Sequence, residues 1–140
     1  MSLIDTSTEF GERAVRRLRD EKLAWLTTVD AAGTPQPVPI WFLWDGEDGI
    51  LLYSRPDTPK LRAIERNPRV SLHLDGNGLG GDIVVVTGEA AVSYGPPAHE
   101  LPAYVAKYTW GFERNRWTPE QFAGMYSVPI RIRMRRVRGH

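Results

Sequence analysis

The basic stretch SRPDTPKLRAIERNPR, which begins at Ser54, carries the side chains whose types and spacing could bind an anion. Thr58 and Pro59 are residue types that favour an N-cap and a first helical position, so we expect a helix to begin there. Free N–H groups and the positive dipole end make the start of a helix an anion site. Lys60 adds a point charge and Arg62 a planar fork, and both suit phosphate. The stretch therefore favours phosphate binding, and the competing interpretation is a solvated basic helix face.

The periodicity of apolar residues predicts the elements that must position this stretch. Thr6 and Glu9 have the spacing of a capping box, and the residues behind them predict a helix over 7–21. Three further helices are expected to begin after residues 58, 96 and 118. Apolar runs bounded by turn residues predict six strands, at 23–29, 34–44, 50–54, 69–75, 82–93 and 128–137. We therefore predict a single mainly β domain over residues 1–140, an antiparallel barrel with short flanking helices.

Prolines occupy alternate positions of the second predicted strand, at Pro35, Pro37 and Pro39. Alternate residues of a strand direct their N–H groups to the same side, so these prolines remove three successive donors from one edge. That edge cannot pair as an ordinary ladder. Two interpretations stay open: protection of an exposed edge against aggregation, or an open edge that faces a ligand or a partner subunit.

The glycine-rich segment from Gly76 to Gly81 has the letter pattern G-x-G-x-x-G of a dinucleotide-binding loop. Such a loop must follow a strand and open a helix. Ile83–Thr87, which follows here, is a run with strand character and no helical period. We therefore predict a hairpin loop rather than a nucleotide site.

Composition narrows the class of protein. The sequence has no cysteine, which excludes disulfides and thiolate metal sites. A formal net charge of +1 argues against a dedicated nucleic-acid-binding protein. No apolar run approaches the roughly 18 residues that span a bilayer, and the first residues lack the basic start and apolar core of a signal peptide. We expect a cytoplasmic protein without a nucleic-acid or membrane partner.

No local pattern identifies a catalytic group. Histidines 73, 99 and 140 are scattered and lack the spacing of metal ligands, so no metal site is expected. The acidic residues form no paired carboxylates on one predicted element, and no local signature supports Ser-His-Asp catalysis. The aromatic residues of the C-terminal half are interpreted as core or dimer interface: Tyr104, Tyr108, Trp110, Phe112 and Trp117.

Several segments together resemble the pyridoxamine 5′-phosphate oxidase-like split β-barrel proteins. They are the strand Leu23–Val29 with its DAAG turn, the proline-rich strand running into WFLWDG, the Tyr53-Ser54-Arg55 triplet, Lys60, and NPRVSL. The similarity covers roughly residues 10–138, and the hydroxyl and lysine positions before Asn-Pro are its most specific part. The chain is most similar to the flavin/deazaflavin oxidoreductase branch, which depends on coenzyme F420, and the closing SVPIRIRMRRVRG fits that branch.

The resemblance implies a split barrel like that of the FMN-binding protein, forming a homodimer with two cofactor sites at the subunit interface. Ser54, Thr58 and Lys60 match family positions that hold the cofactor phosphate. In the family, the strand after the first hairpin runs along the flavin ring, which here means Val38, Pro39, Ile40 and Trp41.

Three departures from the oxidase argue against pyridoxamine phosphate oxidation. The oxidase has an Arg-Lys pair where this chain has Pro59-Lys60, and an arginine on the second strand where this chain has Val38. The oxidase's C-terminal substrate-binding signature has no equivalent here. A different substrate is therefore expected.

The leading hypothesis is an oxidoreductase that moves hydride between F420 and a small organic substrate. We expect F420 to bind more tightly than FMN, because Arg55, Arg62 and Arg66 can meet the carboxylates of its glutamate tail. One alternative is an FMN-dependent oxidoreductase related to the oxidase. Others are a non-catalytic flavin- or haem-binding split barrel, and a nucleic-acid-binding barrel that uses the arginines of residues 131–138.

Overall fold

The structure, a computed structural model, describes residues 3–140. Its first helix, α1 (Glu9–Asp20), begins at Thr8, whose hydroxyl accepts a hydrogen bond from the Gly11 N–H at 2.9 Å. The prediction of Thr6 as the N-cap was wrong. The backbone N–H and the hydroxyl of Ser7 both donate to the Asp5 carboxylate, at 3.0 and 2.6 Å. This local turn competes with the helix and delays its start by two residues.

Within residues 3–140, the strands form one curled antiparallel sheet in the order β2-β1-β5-β6-β7-β4-β3. They are β1 (Ala24–Val29), β2 (Pro35–Ile40), β3 (Leu43–Trp44), β4 (Gly49–Ser54), β5 (Arg69–His73), β6 (Val84–Val92) and β7 (Val128–Gly139). The mainly β split-barrel prediction is confirmed. The sheet has seven strands rather than six because the predicted strand over 34–44 is interrupted at residues 41 and 42.

The other helices connect and cover the sheet. They are α2 (Pro59–Arg66), a 3-10 turn at Ala98–Glu100, α3 (Pro102–Asn115) and α4 (Pro119–Met125). Helix α2 begins after Thr58 with Pro59 in its first turn, as predicted. Helix α3 runs past the predicted end near residue 108 until Arg116 adopts a left-handed conformation, with φ of 58°. None of the described helices is long and apolar enough to cross a membrane.

Two apolar cores lie on opposite faces of the sheet, because successive strand residues point to opposite sides. On β4, Ile50 and Leu52 point into the main core inside the barrel, with Leu18 of α1. Leu51 and Tyr53, between and beyond them, point into a second core that α3 and α4 complete on the outer face. The second core is aromatic, and its largest buried members are Tyr104, Tyr108, Phe112 and Phe122.

The last strand keeps its arginines outside by means of a bulge. The register of β6 and β7 shifts between Thr87 and Gly88, which leaves Arg135 as an extra residue, so that Arg135 and Arg136 are both exposed. A Cβ on Gly88 would lie 2.2 Å from the carbonyl oxygen of Arg133, so this position requires glycine. The arginine doublet in the sequence marks the bulge, where the alternation of apolar and basic residues changes phase.

The glycine-rich segment connects β5 to β6, which pair antiparallel as a hairpin. The N–H of Asn77 donates to the carbonyl of Gly81 at 3.0 Å and closes the loop. A strand follows the loop, not a helix, so the prediction of a hairpin is confirmed.

Candidate functional site

A cavity of about 270 Å³ lies where the end of β2 meets α2, α3 and α4. Pro39, Ile40 and Trp41 contribute one wall and Lys60 of α2 another, so the structure brings together these four predicted site residues. The remaining large side chains around it are aromatic: Tyr53, Tyr104, Trp117, Phe122 and Tyr126. Apolar walls with few polar groups are typical of small-molecule sites.

Lys60 supplies the positive charge of this cavity. Its side chain is half-buried, and its ammonium forms no hydrogen bond or ion pair within residues 3–140. Burial lowers the pKa of Lys60, since removal from water disfavours the charged form. An anion in the cavity would offset this cost.

The hydroxyls of Ser54 and Thr58 do not line the cavity but pair with each other, at 3.0 Å. Ser54 is fully buried, and its hydroxyl also contacts the carbonyl of Arg55 at 2.8 Å. The Thr58 hydroxyl makes no capping bond to α2. The pair lies at the start of α2, adjacent in sequence to Lys60, and fixes the turn from β4 into the helix.

The other predicted site residues have separate surroundings. The guanidinium of Arg55 lies over the ring of Tyr126, 4.9 Å from its centroid, and therefore stands beside a cavity wall. Arg62 donates to the carbonyl of Asp57 at 3.0 Å. The side chain of Val38 packs against the main core and does not line the cavity.

Trp41 is seated in a slot of the second core. Its ring stacks on Tyr108, with centroids 4.6 Å apart and planes 9° apart, and on Phe122 at 5.5 Å and 19°. A Cβ on Gly111 would lie 2.5 Å from the Trp41 ring, so α3 admits the ring only because this position has no side chain. The slot fixes the orientation of the indole that forms a cavity wall.

The peptide group of Phe42 is bound by side chains of α3 rather than by another strand. Its N–H donates to the Tyr108 hydroxyl at 2.8 Å, and its carbonyl accepts from the Lys107 ammonium at 2.8 Å. The Tyr108 hydroxyl in turn donates to the carbonyl of Lys22 at 2.7 Å. These bonds satisfy backbone groups where the sheet is interrupted, and they attach α3 to the barrel.

Burial also affects the protonation of Tyr108 and Lys107, the two side chains that bind the backbone of Phe42. It raises the pKa of Tyr108, which keeps the phenol neutral and able to donate. Burial, and to a lesser extent the charge of Lys22, lowers the pKa of Lys107 to about 8. The Lys107 ammonium lies 3.8 Å from the centroid of the Phe42 ring, which adds a cation–π contact.

Sequence reasoning placed the aromatic residues in a core or interface and missed their share in the cavity. Tyr104 and Tyr108 are indeed buried, at 1% and 0% exposure, but Tyr104 also lines the cavity together with Trp117. The spacing of Tyr104, Tyr108 and Phe112 puts them on one helix face. That spacing was the available signal, and it does not reveal a cavity until the partner face is known.

The histidines and acidic residues do not form a metal centre. Among residues 3–140, no three histidine, aspartate or glutamate side chains come together in a way that could hold a metal ion. None of the histidines lines the aromatic cavity within the described residues. Apart from the aromatic side chains, the polar residues that line the cavity are Lys60 and Asn115.

Comparison with known proteins assigns the chain to a family. The family model described as pyridoxamine 5′-phosphate oxidase matches residues 10–125. The chain belongs to the pyridoxamine 5′-phosphate oxidase family. The match includes the proline-rich strand, the start of α2 and most of the aromatic wall. No match is found among the curated proteins.

Solved structures share the fold of this family member. An F420 reductase is 24% identical with a TM-score of 0.63, over 88% of this chain and 94% of that one. General Stress Protein 26 from Bacillus anthracis is 23% identical with a TM-score of 0.64, over 90% and 89%. HutZ, a haem storage protein from Vibrio cholerae, is 18% identical with a TM-score of 0.61, over 99% and 95%. Likeness at this level of identity shows the fold alone.

We predict that Tyr108→Phe destabilises the protein by about 1–3 kcal/mol, because it leaves the buried N–H of Phe42 without its acceptor. Tyr94→Phe serves as the control, since Tyr94 is fully exposed, at 101%. Urea denaturation of both variants measures the difference. Equal stability of the two variants would contradict the clamping role of Tyr108.

Proposed function

We propose that this protein is an oxidoreductase that binds coenzyme F420, with FMN as the alternative cofactor, and transfers hydride between the cofactor ring and a small organic substrate. The family is one of flavin-type proteins, and one similar structure is an F420 reductase. The observation with most weight is the half-buried Lys60 ammonium beside an aromatic cavity, which meets no partner in the described part of the chain.

Lys60 and the start of α2 fit the phosphate of such a cofactor. A charge that burial disfavours gains most from a counter-ion, and the N-terminal turn of α2 adds its dipole. The Ser54–Thr58 hydroxyl pair holds the preceding turn in place. In this arrangement Lys60 makes the direct contact, while the two hydroxyls position the helix start.

The end of β2 fits the flat ring of the cofactor. Within the described sheet β2 pairs with β1 alone, and that ladder runs from Pro35 to Ile40, so the proline nitrogens face the open edge. A ring can therefore approach Pro39 without competing with a backbone donor. Trp41, fixed in its slot, continues the same wall.

The bound cofactor ring supplies the hydride chemistry. The residues of the chain bind and orient the ring and keep water away from it. The aromatic walls, with Tyr53 and Phe122 both buried, make this site apolar. An apolar surrounding strengthens the charge contact of Lys60.

Three arginines favour F420 over FMN. The two cofactors share a ring and a phosphate, and F420 adds a lactyl group followed by glutamates. Arg55 precedes α2, Arg62 lies within it and Arg66 is its last residue. All three are exposed and form no ion pair within residues 3–140. Exposed pairs contribute roughly 0.2–1 kcal/mol each, so the preference depends on several of them acting together.

The haem-binding and nucleic-acid-binding alternatives are less well supported. A haem-storage role, as in HutZ, would lack an imidazole ligand at this cavity, because no histidine lines it within the described residues. A nucleic-acid role would use the arginines of β7, but Arg133 and Arg135 are paired with Asp48 and Glu89.

We expect Lys60→Ala to weaken binding of F420 about 10- to 100-fold without changing the urea midpoint, since one charge-assisted contact contributes about 1.5–3 kcal/mol. Fluorescence titration measures the affinity. Lys22→Ala is the matched control, because exposed Lys22 does not line the cavity. Equal affinities of Lys60→Ala and wild type would remove Lys60 from the site.

The affinity should also depend on pH. Burial lowers the pKa of Lys60 in the free protein, and a bound anion raises it again. Binding is therefore coupled to protonation, and the affinity of wild type falls as the pH rises through the free-protein pKa. The cofactor affinity of Lys60→Ala should not decrease over the same pH range.

The proposal includes a homodimer with the cofactor sites at the subunit interface. The outer face of the sheet carries an open depression of about 590 Å³ whose walls include Thr27, Val29, Ser71 and Thr87. Its walls also include the charged residues Arg69, Glu89 and Arg135, of which Arg135 pairs with Glu89. The uncharged part of the depression and the donor-poor edge of β2 both suit a second copy of the chain.

We expect sedimentation equilibrium at micromolar concentration to give about twice the chain mass of 15.8 kDa. Thr27→Arg should shift the equilibrium toward monomer, because it places an unpaired cation in the uncharged part of the depression. Thr34→Arg, in the exposed turn after β1, should not. A wild-type mass of 15.8 kDa would refute the dimer.

A further inference from the structure

The hydroxyl of Tyr104 is a buried polar group without a structural partner. Tyr104 is 1% exposed, yet its hydroxyl makes no hydrogen bond among the residues that the structure describes. Its two tyrosine neighbours differ: Tyr53 donates to the carbonyl of Pro96 at 2.8 Å, and Tyr108 donates to that of Lys22 at 2.7 Å. Leaving a buried hydroxyl unpaired costs free energy, which a hydrogen bond to a ligand could recover.

This hydroxyl is not sealed from solvent. Within residues 3–140, the side-chain atoms that are both sealed from solvent and unpaired are Arg13 Nε and Ser93 Oγ, and the Tyr104 oxygen is not among them. Tyr104 is one of the residues that line the aromatic cavity, and we infer that the accessible part of its oxygen faces that cavity.

The packing of its ring holds the hydroxyl oxygen in a fixed position. Tyr53 meets the Tyr104 ring edge-on, with centroids 5.1 Å apart and planes 86° apart. Tyr108 lies 5.0 Å away on the same helix, and Phe122 lies 5.9 Å away on α4. A hydroxyl whose oxygen is held in this way needs only to rotate its hydrogen to meet a ligand.

Chemistry determines which kind of ligand group it can meet. Burial, with smaller contributions from the neighbouring tyrosines, raises the pKa of Tyr104, so the phenol stays protonated. A neutral phenol can donate its O–H to an acceptor such as a carbonyl oxygen. The indole N–H of Trp117 also lacks a partner within the described residues and is a second donor at the same cavity.

The shape of the cavity restricts the rest of the ligand. Trp41, Phe122 and Tyr126 present aromatic rings to a volume of about 270 Å³, which is enough for one small ring system. The cofactor ring of the proposed function would lie beside this volume, along the open edge of β2. We propose that the cavity recognises a flat carbonyl compound whose oxygen accepts a hydrogen bond from Tyr104. This inference rests on the proposed function, because the carbonyl compound would be the substrate of the proposed oxidoreductase.

The test compares two ligands of the same shape, 1-indanone and its carbonyl-free analogue indane, on the purified full chain. We expect Tyr104→Phe to weaken binding of 1-indanone about 2- to 12-fold, the value of one neutral hydrogen bond, and to leave indane within twofold of wild type. Quenching of tryptophan fluorescence measures both affinities, because Trp41 and Trp117 line the cavity. Tyr94→Phe is the control and changes neither affinity.

A stability measurement excludes a merely structural role. Since Tyr104→Phe removes no hydrogen bond within the described protein, its urea midpoint should equal or exceed that of wild type, whereas Tyr108→Phe lowers it. The proposal is overturned if Tyr104→Phe weakens indanone and indane equally, if neither ligand binds wild type, or if the variant is as unstable as Tyr108→Phe.

The cofactor is tested separately in the same proteins. Titration with F420 should give equal affinities for Tyr104→Phe and wild type, and a lower one for Lys60→Ala. If F420 and FMN both fail to bind while Tyr104→Phe selectively loses indanone, the proposed function is wrong and the Tyr104 site stands. If the cofactors bind and Tyr104→Phe shows no selective loss of 1-indanone, the proposed function stands and the Tyr104 site is wrong.

Discussion

The peptide group of Phe42 is the constraint on which the arrangement of the outer face depends. The sheet is interrupted there, and neighbouring residues enter opposite cores, Phe42 the main core and Trp41 the second. A buried peptide group must be hydrogen-bonded, and here Tyr108 and Lys107 satisfy it from α3. The helix is therefore held at a fixed position over the sheet. The position of the helix also sets the shape of the cavity, because the Trp41 ring, which forms a cavity wall, packs against Gly111 of that helix.

Two tyrosines one turn apart on α3 then have different roles. The hydroxyl of Tyr108 is hydrogen-bonded to backbone groups, the N–H of Phe42 and the carbonyl of Lys22. Tyr104 packs in the same core and lines the cavity, but its hydroxyl finds no partner among the described residues. Lys60 provides charge from a different element. Aromatic side chains, the phenol of Tyr104 and the ammonium of Lys60 therefore line one cavity from different elements.

Local patterns were enough to predict most strands, the start of α2 and the hairpin after β5, since each depends on residues that are close in sequence. They did not reveal the interruption that divides the predicted strand over 34–44 into β2 and β3. The residue types around Thr58 define a helix start, which places Lys60 in the first turn of α2. They could not show that the hydroxyls of Ser54 and Thr58 pair with each other, or that Val38 points into the main core. The cavity itself was missed because it forms only when α3 packs on β4, two elements separated by about fifty residues of chain. The N-cap of α1 was misplaced for a local reason, the competing turn at Asp5.

The choice of cofactor tests the central claim most directly. Purified protein is titrated with F420 and FMN in competition, at low salt and at about 0.5 M salt. The account predicts that F420 binds more tightly, and that its advantage shrinks at high salt, because the exposed arginines that meet its carboxylates are screened over about 10 Å at 0.1 M ionic strength. If FMN binds more tightly at both salt concentrations, or copurifies and gives the protein a yellow flavin spectrum, the deazaflavin assignment is contradicted.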